Sequence, residues 1–214
     1  MTTKNRNIHR SVAGALTITA VAALAWSAST LVNRAVAASP AGGIQIGSSA
    51  PAFTLTNVAT GDKVSLDDLR KDKKATVVMF IATRCPVSNA YNDRMETLAA
   101  RYEPKHVEFV GINANQTEPV AEVASHAKDH NFTFPVLKDA DDSVANLYDA
   151  HVTPETYVIN SDGVIVYHGR IDNSMDPENV ATNDLADALD DVLAGKTVTK
   201  PETKAFGCSI KRQP

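Results

Sequence analysis

The chain has few cysteines, and its lysines and arginines do not form a basic stripe; these two absences exclude several classes of protein. Its two cysteines, Cys85 and Cys208, are too few to build a disulfide scaffold, although two can still cross-link in an oxidising compartment. The lysines and arginines are scattered and the formal net charge is −4, which argues against nucleic-acid binding. No pattern predicts a bound cofactor or a metal ion. Function must therefore depend on a few individual side chains.

Residues 1–37 have the layout of a secretory signal peptide. A basic start containing Lys4 and Arg10 precedes an uncharged, apolar run from Ser11 to Val32, and the small residues Ala35-Val36-Ala37 form a cleavage site. The alternative is an uncleaved anchor, because the run is long enough to span a bilayer. Both interpretations predict an exported protein, periplasmic or secreted, and membrane-bound only if the leader stays. Residues 38–48, rich in Gly and Ser, are predicted to be a linker.

Residues 49–195 are predicted to form one α/β domain, followed by a C-terminal tail over residues 196–214. The apolar run 75–81 is typical of a strand buried on both faces, and Asn160-Ser161-Asp162-Gly163 predicts a hairpin turn. The expected order begins with a β-hairpin and continues with alternating strands and helices. The expected strands are 53–56, 63–66, 75–81, 107–112, 135–137, 156–159 and 164–167, and the expected helices follow Pro86 and cover 120–129, 143–148 and 185–192. This order predicts a mixed central sheet flanked by helices.

Cys85 is the residue with the strongest chemical signal. It follows the predicted central strand, and Pro86 is a natural first helical residue, which places Cys85 at the helix N-terminus. Free amides and the helix dipole at that end favour a thiolate, which is the form that attacks disulfides and peroxides. Arg84 adds a positive charge, and the Ser88 hydroxyl is expected to donate to the sulfur. The alternative is a buried cysteine that only packs.

Several segments resemble the thioredoxin superfamily, in its AhpC/TSA-type redoxin branch. Phe80 to Ser88 is similar to the active-site segment, Ala50 to Leu55 to the opening of redoxins, and Val152-Thr153-Pro154 to the cis-proline loop of thioredoxins. Lys204 to Lys211, with Gly207-Cys208, resembles the tail of a peroxiredoxin-like subgroup. The resemblance implies a thioredoxin-like fold, antioxidant or disulfide chemistry at Cys85, and an exposed backbone edge at Thr153-Pro154 for a substrate peptide.

The sequence also departs from both parent patterns. Ser88 stands where thioredoxins carry their second cysteine, so dithiol exchange within the motif is excluded. Peroxiredoxins place Thr or Ser three residues before the cysteine, but that position is Ala82 here, and Thr83 is one residue too late. Thr83, Arg84, Ser88, Thr153 and Pro154 are the predicted substrate-binding residues, with Arg84 and Arg170 as stand-ins for the arginine of peroxiredoxins.

Cys208 is the candidate resolving thiol, since an oxidised Cys85 needs a second sulfur and the chain has no other. A permanent structural disulfide and a free thiol remain as alternatives. We therefore expect an exported oxidoreductase acting on a protein or small-molecule disulfide, or on a peroxide, and recycled by a reducing thiol protein. The alternatives are a catalytically silent binding module and a copper- or thiol-handling protein that recruits His151.

Overall fold

The computed structural model describes residues 44–212, so the predicted signal peptide and most of the predicted linker lie outside the described residues. Within that range the predicted elements form, most with bounds shifted by one or two residues. The strands are β1 Thr54–Asn57, β2 Lys63–Ser65, β3 Ala75–Phe80, β4 Val107–Asn113, β5 Val136–Lys138, β6 Val152–Thr153, β7 Glu155–Asn160, β8 Ile165–Gly169 and β9 Cys208–Ser209. The helices are α1 Leu66–Arg70, α2 Pro86–Asn89, α3 Asn92–Tyr102, α4 Val120–Asp129, α5 Ser143–Leu147 and α6 Asp184–Leu193, with 3₁₀ turns at Glu103–Lys105 and Pro177–Asn179.

Seven strands form the central mixed sheet in the order β2-β1-β5-β4-β3-β7-β8. Strands β3, β4 and β5 run parallel, whereas β7, β8 and the β1–β2 hairpin join antiparallel. This topology is a thioredoxin-like fold, and it confirms the predicted fold class.

The central strand β3 is buried on both faces because its side chains alternate between two cores. Val77 and Met79 pack with α3 and α6, and Val78 and Phe80 pack with α1 and α5. All six residues of β3 are buried, as the continuous apolar run predicts. The two cores hold the carboxyl end of β3 in place, and Cys85 follows that end.

Helix α1 was not predicted, because Leu66 was expected to end a strand, and two further features differ from the sequence prediction. The helix expected after Pro86 is divided, because α2 ends at Asn89 and α3 starts at Asn92. The tail, which has no periodicity, contributes β9, and β9 pairs antiparallel with β6. Among residues 44–212, no helix is long and apolar enough to cross a bilayer.

Candidate active site

Cys85 caps the N-terminus of α2, as the sequence predicts. Its backbone is extended (φ −89°, ψ 115°), Pro86 is the first helical residue, and the Ser88 amide donates to the Cys85 sulfur over 3.3 Å. The strand therefore delivers the sulfur to the amide-rich end of a helix, where negative charge is stabilised. This arrangement supports a thiolate at Cys85.

The Ser88 hydroxyl bonds to the backbone at the end of β3 and not to the Cys85 sulfur. Its Oγ accepts a hydrogen bond from the Ala82 amide at 3.1 Å, and the described residues show no hydrogen bond from this hydroxyl to the Cys85 sulfur. The residue is fully buried, and its hydroxyl faces the chain that leads into Cys85. The Ser88 hydroxyl therefore ties the start of α2 to the end of β3, and only its backbone amide touches the sulfur.

The loop that carries Pro154 lies directly beside the sulfur. The Thr153–Pro154 peptide bond is cis, and the Cys85 sulfur lies 3.4 Å from the Thr153 carbonyl oxygen. The Thr153 hydroxyl is buried and has no partner at normal hydrogen-bond geometry among residues 44–212, yet its closeness to Cys85 lowers the pKa of that thiol. An unpaired buried hydroxyl costs stability, and it gains a partner when the sulfur is ionised.

The tail covers the loop edge that was expected to be exposed. Strand β9 pairs with β6 so that Cys208 lies opposite Thr153, and the Ile210 amide donates to the His151 carbonyl at 2.9 Å. On the other side of the site the Phe206 ring meets the edge of Tyr91, with centroids 6.3 Å apart. The expectation of a free edge for a substrate peptide is therefore wrong in this structure, because the chain's own tail occupies that edge.

Both sulfurs consequently lie at the start of α2. The Cys208 sulfur lies close to the Val87 amide and to Cys85, close enough for the two thiols to alter each other's pKa. Cys85 is only 3% exposed, whereas Cys208 is partly exposed at the surface. The tail takes part in burying Cys85, so movement of the tail would uncover that sulfur.

The two thiols differ in acidity because each acts on the other. Burial raises the pKa of Cys85, but the nearby polar groups of Cys208 and Thr153 and the hydrogen bond from the Ser88 amide together outweigh burial and hold the pKa below the ordinary thiol value. The hydrogen bond to Cys85, together with burial, raises the pKa of Cys208. Cys85 is therefore the more acidic of the two thiols, since its pKa is lowered while that of Cys208 is raised.

Thr83 and Arg84 contact carboxylates that the sequence analysis did not consider. The Arg84 side chain pairs with Glu122, and the Thr83 hydroxyl also reaches Glu122 at 3.3 Å. Both backbone amides donate to the buried Glu118. A signal was present in the sequence: Glu118 lies in a polar segment after β4, and the carboxyl ends of parallel strands meet at one edge of a sheet.

Neither predicted stand-in arginine contacts the Cys85 sulfur. Arg84 is engaged by Glu122, and Arg170 donates to Asp184 at 2.8 Å. In the described part of the chain, the polar groups around that sulfur belong to Ser88, Thr153 and Cys208, and no hydrogen bond from a guanidinium reaches it.

The acidic and imidazole side chains near the site do not converge on a metal position. Between residues 44 and 212, no three His, Cys, Asp or Glu side chains are grouped as metal ligands. The His151 imidazole is 66% exposed and lies 3.2 Å from Asp149, turned toward solvent. This geometry gives the copper alternative no support.

Comparison with known proteins places these features in context. A model described as the AhpC/TSA family matches residues 46–168, which include Cys85 and the Thr153-Pro154 loop. A curated relative, the thiol-disulfide oxidoreductase ResA of Bacillus cereus, is 30% identical over 123 residues, covering 58% of this chain and 68% of the relative.

Two solved structures show how far the likeness extends. An uncharacterised conserved protein of Geobacillus kaustophilus is 36% identical with a TM-score of 0.75, covering 79% of this chain and 93% of that one. A peroxidoxin of Mycobacterium tuberculosis, BcpB, is 24% identical with a TM-score of 0.56, over 71% of this chain and 95% of that one. The second likeness is one of fold alone.

Proposed function

The chain belongs to the AhpC/TSA family, and on that basis we propose that it is an exported thiol-disulfide oxidoreductase in which Cys85 is the nucleophile and Cys208 the resolving thiol. The observation that carries this proposal is the meeting of both sulfurs at the N-terminus of α2, under the Thr153-Pro154 loop. The tail supplies the second thiol that Ser88 cannot. Similarity to ResA, which is named a thiol-disulfide oxidoreductase, favours an enzyme over a silent binding module.

The reaction proceeds in two thiol exchanges. The Cys85 thiolate attacks one sulfur of the substrate disulfide, the substrate S–S bond breaks, and one substrate sulfur leaves as a thiolate. Cys208 then attacks the Cys85 sulfur, the mixed disulfide breaks, and the second substrate thiol leaves. The products are two substrate thiols and a Cys85–Cys208 disulfide, which a reducing thiol protein returns to the dithiol form.

Formation of the mixed disulfide makes it easier for Cys208 to lose its proton. While Cys85 is a thiolate, its hydrogen bond holds the proton on Cys208. Once Cys85 is bound in a mixed disulfide it carries no charge, so the main influence that raises the pKa of Cys208 is gone. Cys208 therefore becomes a better nucleophile at the step where it is needed.

Disulfides are favoured over peroxides as substrates. Ala82 replaces the hydroxyl residue of peroxiredoxins, and both candidate arginines are held by carboxylates. A protein or small-molecule disulfide needs only the thiolate and an opened tail. Peroxide reduction would instead form a sulfenic acid at Cys85, which Cys208 would convert to the same disulfide with release of water.

Export is proposed from the leader alone. The basic start, the apolar run to Val32 and the Ala35-Val36-Ala37 site direct the domain across a membrane, and the protein stays attached only if that segment is not cleaved. Cell fractionation, with mass analysis of the mature N-terminus, tests this part. A cytoplasmic protein with an intact leader would contradict it.

Single-turnover thiol release tests the mechanism. The reduced full chain is mixed with an excess of an aromatic disulfide that releases a coloured thiol. The wild type should release two thiols per chain and end with the Cys85–Cys208 disulfide, Cys208→Ala should release one and stop as a mixed disulfide, and Cys85→Ala should react slowly. Rapid reaction of Cys85→Ala would contradict the assignment of the nucleophile, and faster oxidation by hydrogen peroxide than by disulfides would reassign the substrate.

A further inference from the structure

Glu118 is a buried carboxylate in the segment between β4 and α4, with 1% of its surface exposed. It accepts four hydrogen bonds. The Thr83 and Arg84 amides donate over 3.0 Å and 2.9 Å, and the side-chain amides of Asn113 and Asn115 donate over 2.5 Å and 3.0 Å. A carboxylate so surrounded by donors stays ionised, because these bonds lower the pKa of Glu118 in spite of its burial.

The first consequence concerns the nucleophile. Thr83 and Arg84 immediately precede Cys85, and their amides point into the protein toward Glu118. The carboxylate thus fixes the turn between β3 and α2, which aims the cysteine. Charge-assisted hydrogen bonds of this kind are about twice as strong as neutral ones.

The second consequence concerns the tail. Asn115, which donates to Glu118, accepts a hydrogen bond from the Lys211 amide at 2.7 Å. The Lys211 carbonyl in turn accepts from the Gln116 amide at 2.9 Å. The backbone just beyond Cys208 is therefore attached, through Asn115, to the carboxylate that holds the backbone just before Cys85.

A buried lysine completes the network. Lys138 donates to the Asn113 side chain at 2.7 Å and to the Asn115 carbonyl at 2.6 Å, so its positive charge lies close to the Glu118 carboxylate. A buried carboxylate is tolerated when its charge is compensated and its oxygens are satisfied. Nothing in this network touches the sulfurs or the Thr153-Pro154 loop directly.

From this connectivity we propose that Glu118 is a positioning residue for the Cys85–Cys208 pair, acting on Cys85 through the Thr83–Arg84 backbone and on Cys208 through Asn115. The inference rests on the proposed function, because it assigns the network a role in bringing together the two thiols that exchange. Positioning of the two thiols can be measured as the effective concentration of the Cys208 thiol at Cys85.

The test is the equilibrium of the Cys85–Cys208 disulfide in glutathione buffers. Forming that disulfide oxidises both protein thiols and reduces one glutathione disulfide to two thiols, so the equilibrium constant reports the effective concentration. Glu118→Gln keeps the size of the side chain but leaves one oxygen for four donors. Because the hydrogen bonds to the charged carboxylate are weakened or lost, the constant should fall roughly ten- to hundredfold.

Two further variants separate positioning from folding. Glu96→Gln is the matched control, because Glu96 also accepts a backbone amide, from Thr133 at 2.8 Å, away from the cysteines. It should lose some stability without changing the disulfide constant. Asn115→Ala removes the link to Lys211 and leaves the Thr83 and Arg84 bonds in place, so it should lower the constant several-fold in a folded protein.

The outcomes are distinct. If the wild type forms no Cys85–Cys208 disulfide, the proposed function fails and the positioning role fails with it. A second outcome is that the wild type forms the disulfide while the folded variants Glu118→Gln and Asn115→Ala have disulfide equilibrium constants within twofold of the wild-type value. In that case the positioning role is wrong and the proposed function stands. If Glu118→Gln does not fold, the Asn115→Ala constant decides between these results.

Discussion

Gly207 packs tightly against the Thr153-Pro154 loop beside Cys85, and replacing it with alanine tests whether the tail covers that cysteine. A Cβ atom at this position would lie 1.9 Å from the Thr153 carbonyl oxygen and 2.6 Å from its carbonyl carbon. Both atoms belong to the backbone, so neither can rotate away. The added methyl group must therefore push β9 off β6.

The size of the effect follows from these distances. Real Cβ contacts stay beyond 3.0 Å, so the tail has to retreat by about 1 Å or more at a point adjacent to Cys208. Overpacking of this kind costs about 1–3 kcal/mol, which is comparable to what a short two-residue strand pairing can supply. We expect the tail to detach locally, while the central sheet, which it does not enter, stays folded.

Three measurements check this expectation. In Gly207→Ala, alkylation of Cys85 should be at least tenfold faster because the sulfur is uncovered, and the pKa of Cys85 should rise because the Cys208 thiol no longer donates to it. The Cys85–Cys208 disulfide should form less readily in glutathione buffer. All three changes share one cause, so they should appear together.

Gly61→Ala is the matched control, since Gly61 has φ +79° and nothing within 4 Å of the added Cβ. Alanine there costs about 1 kcal/mol or more through backbone strain in a different hairpin turn, without displacing any neighbouring atom. If Gly207→Ala and Gly61→Ala behave alike in alkylation rate and disulfide formation, the tail does not cover the nucleophile in solution and the reasoning is wrong.

Three other changes have expected outcomes. Thr153→Val removes the buried hydroxyl beside the sulfur, so the pKa of Cys85 should rise, as read from the pH dependence of alkylation; an unchanged profile would mean that the hydroxyl does not act on the thiolate. Phe206→Ala removes the ring that rests on Tyr91, so alkylation of Cys85 should accelerate several-fold with little change in thermal unfolding, and an unaltered rate would count against the tail as the cover. Asp184→Asn should cost about 1–3 kcal/mol at pH 7, because buried Asp184 holds Arg170 and Lys200. Burial raises the pKa of Asp184, but the hydrogen bonds to Arg170 and Lys200 outweigh burial. The pKa of Asp184 therefore lies below its ordinary value of 3.8. The stabilisation is therefore present above that value and is lost as pH falls through the folded-state pKa, so urea unfolding should show wild type and Asp184→Asn converging in acid, and a difference independent of pH would refute the assignment.

The sequence predicts most of the fold because its local signals are strong. The apolar run of β3 and the turn at Asn160–Gly163 each depend on neighbouring residues, and both form as expected. Pro86 after a buried strand likewise placed Cys85 at a helix N-terminus. These are features in which the sequence and the immediate backbone settle the outcome.

The site was predicted less completely than the fold, because the features that the prediction missed depend on contacts between residues far apart in the sequence. Nothing near Cys208 in the sequence indicates that a two-residue strand there pairs with Thr153. The hydrogen bond of the Ser88 hydroxyl depends on the Ala82 amide, and the contacts of Glu118 with Thr83 and Arg84 depend on the parallel alignment of β3 with β4. Each of these features forms only when the sheet is folded, so the sequence alone does not predict it.

Because the two thiols are far apart along the chain, they come together only when the domain is folded. Thiols in a C-x-x-C motif remain neighbours even when a protein unfolds, but Cys85 and Cys208 are about 120 residues apart and separate completely. If Cys208 resolves the Cys85 mixed disulfide as proposed, that exchange requires the folded domain, and unfolding that separates the two thiols should abolish it. By thermodynamic reciprocity the oxidised form should resist denaturation more than the reduced form, by on the order of 4–5 kcal/mol for a loop of this length.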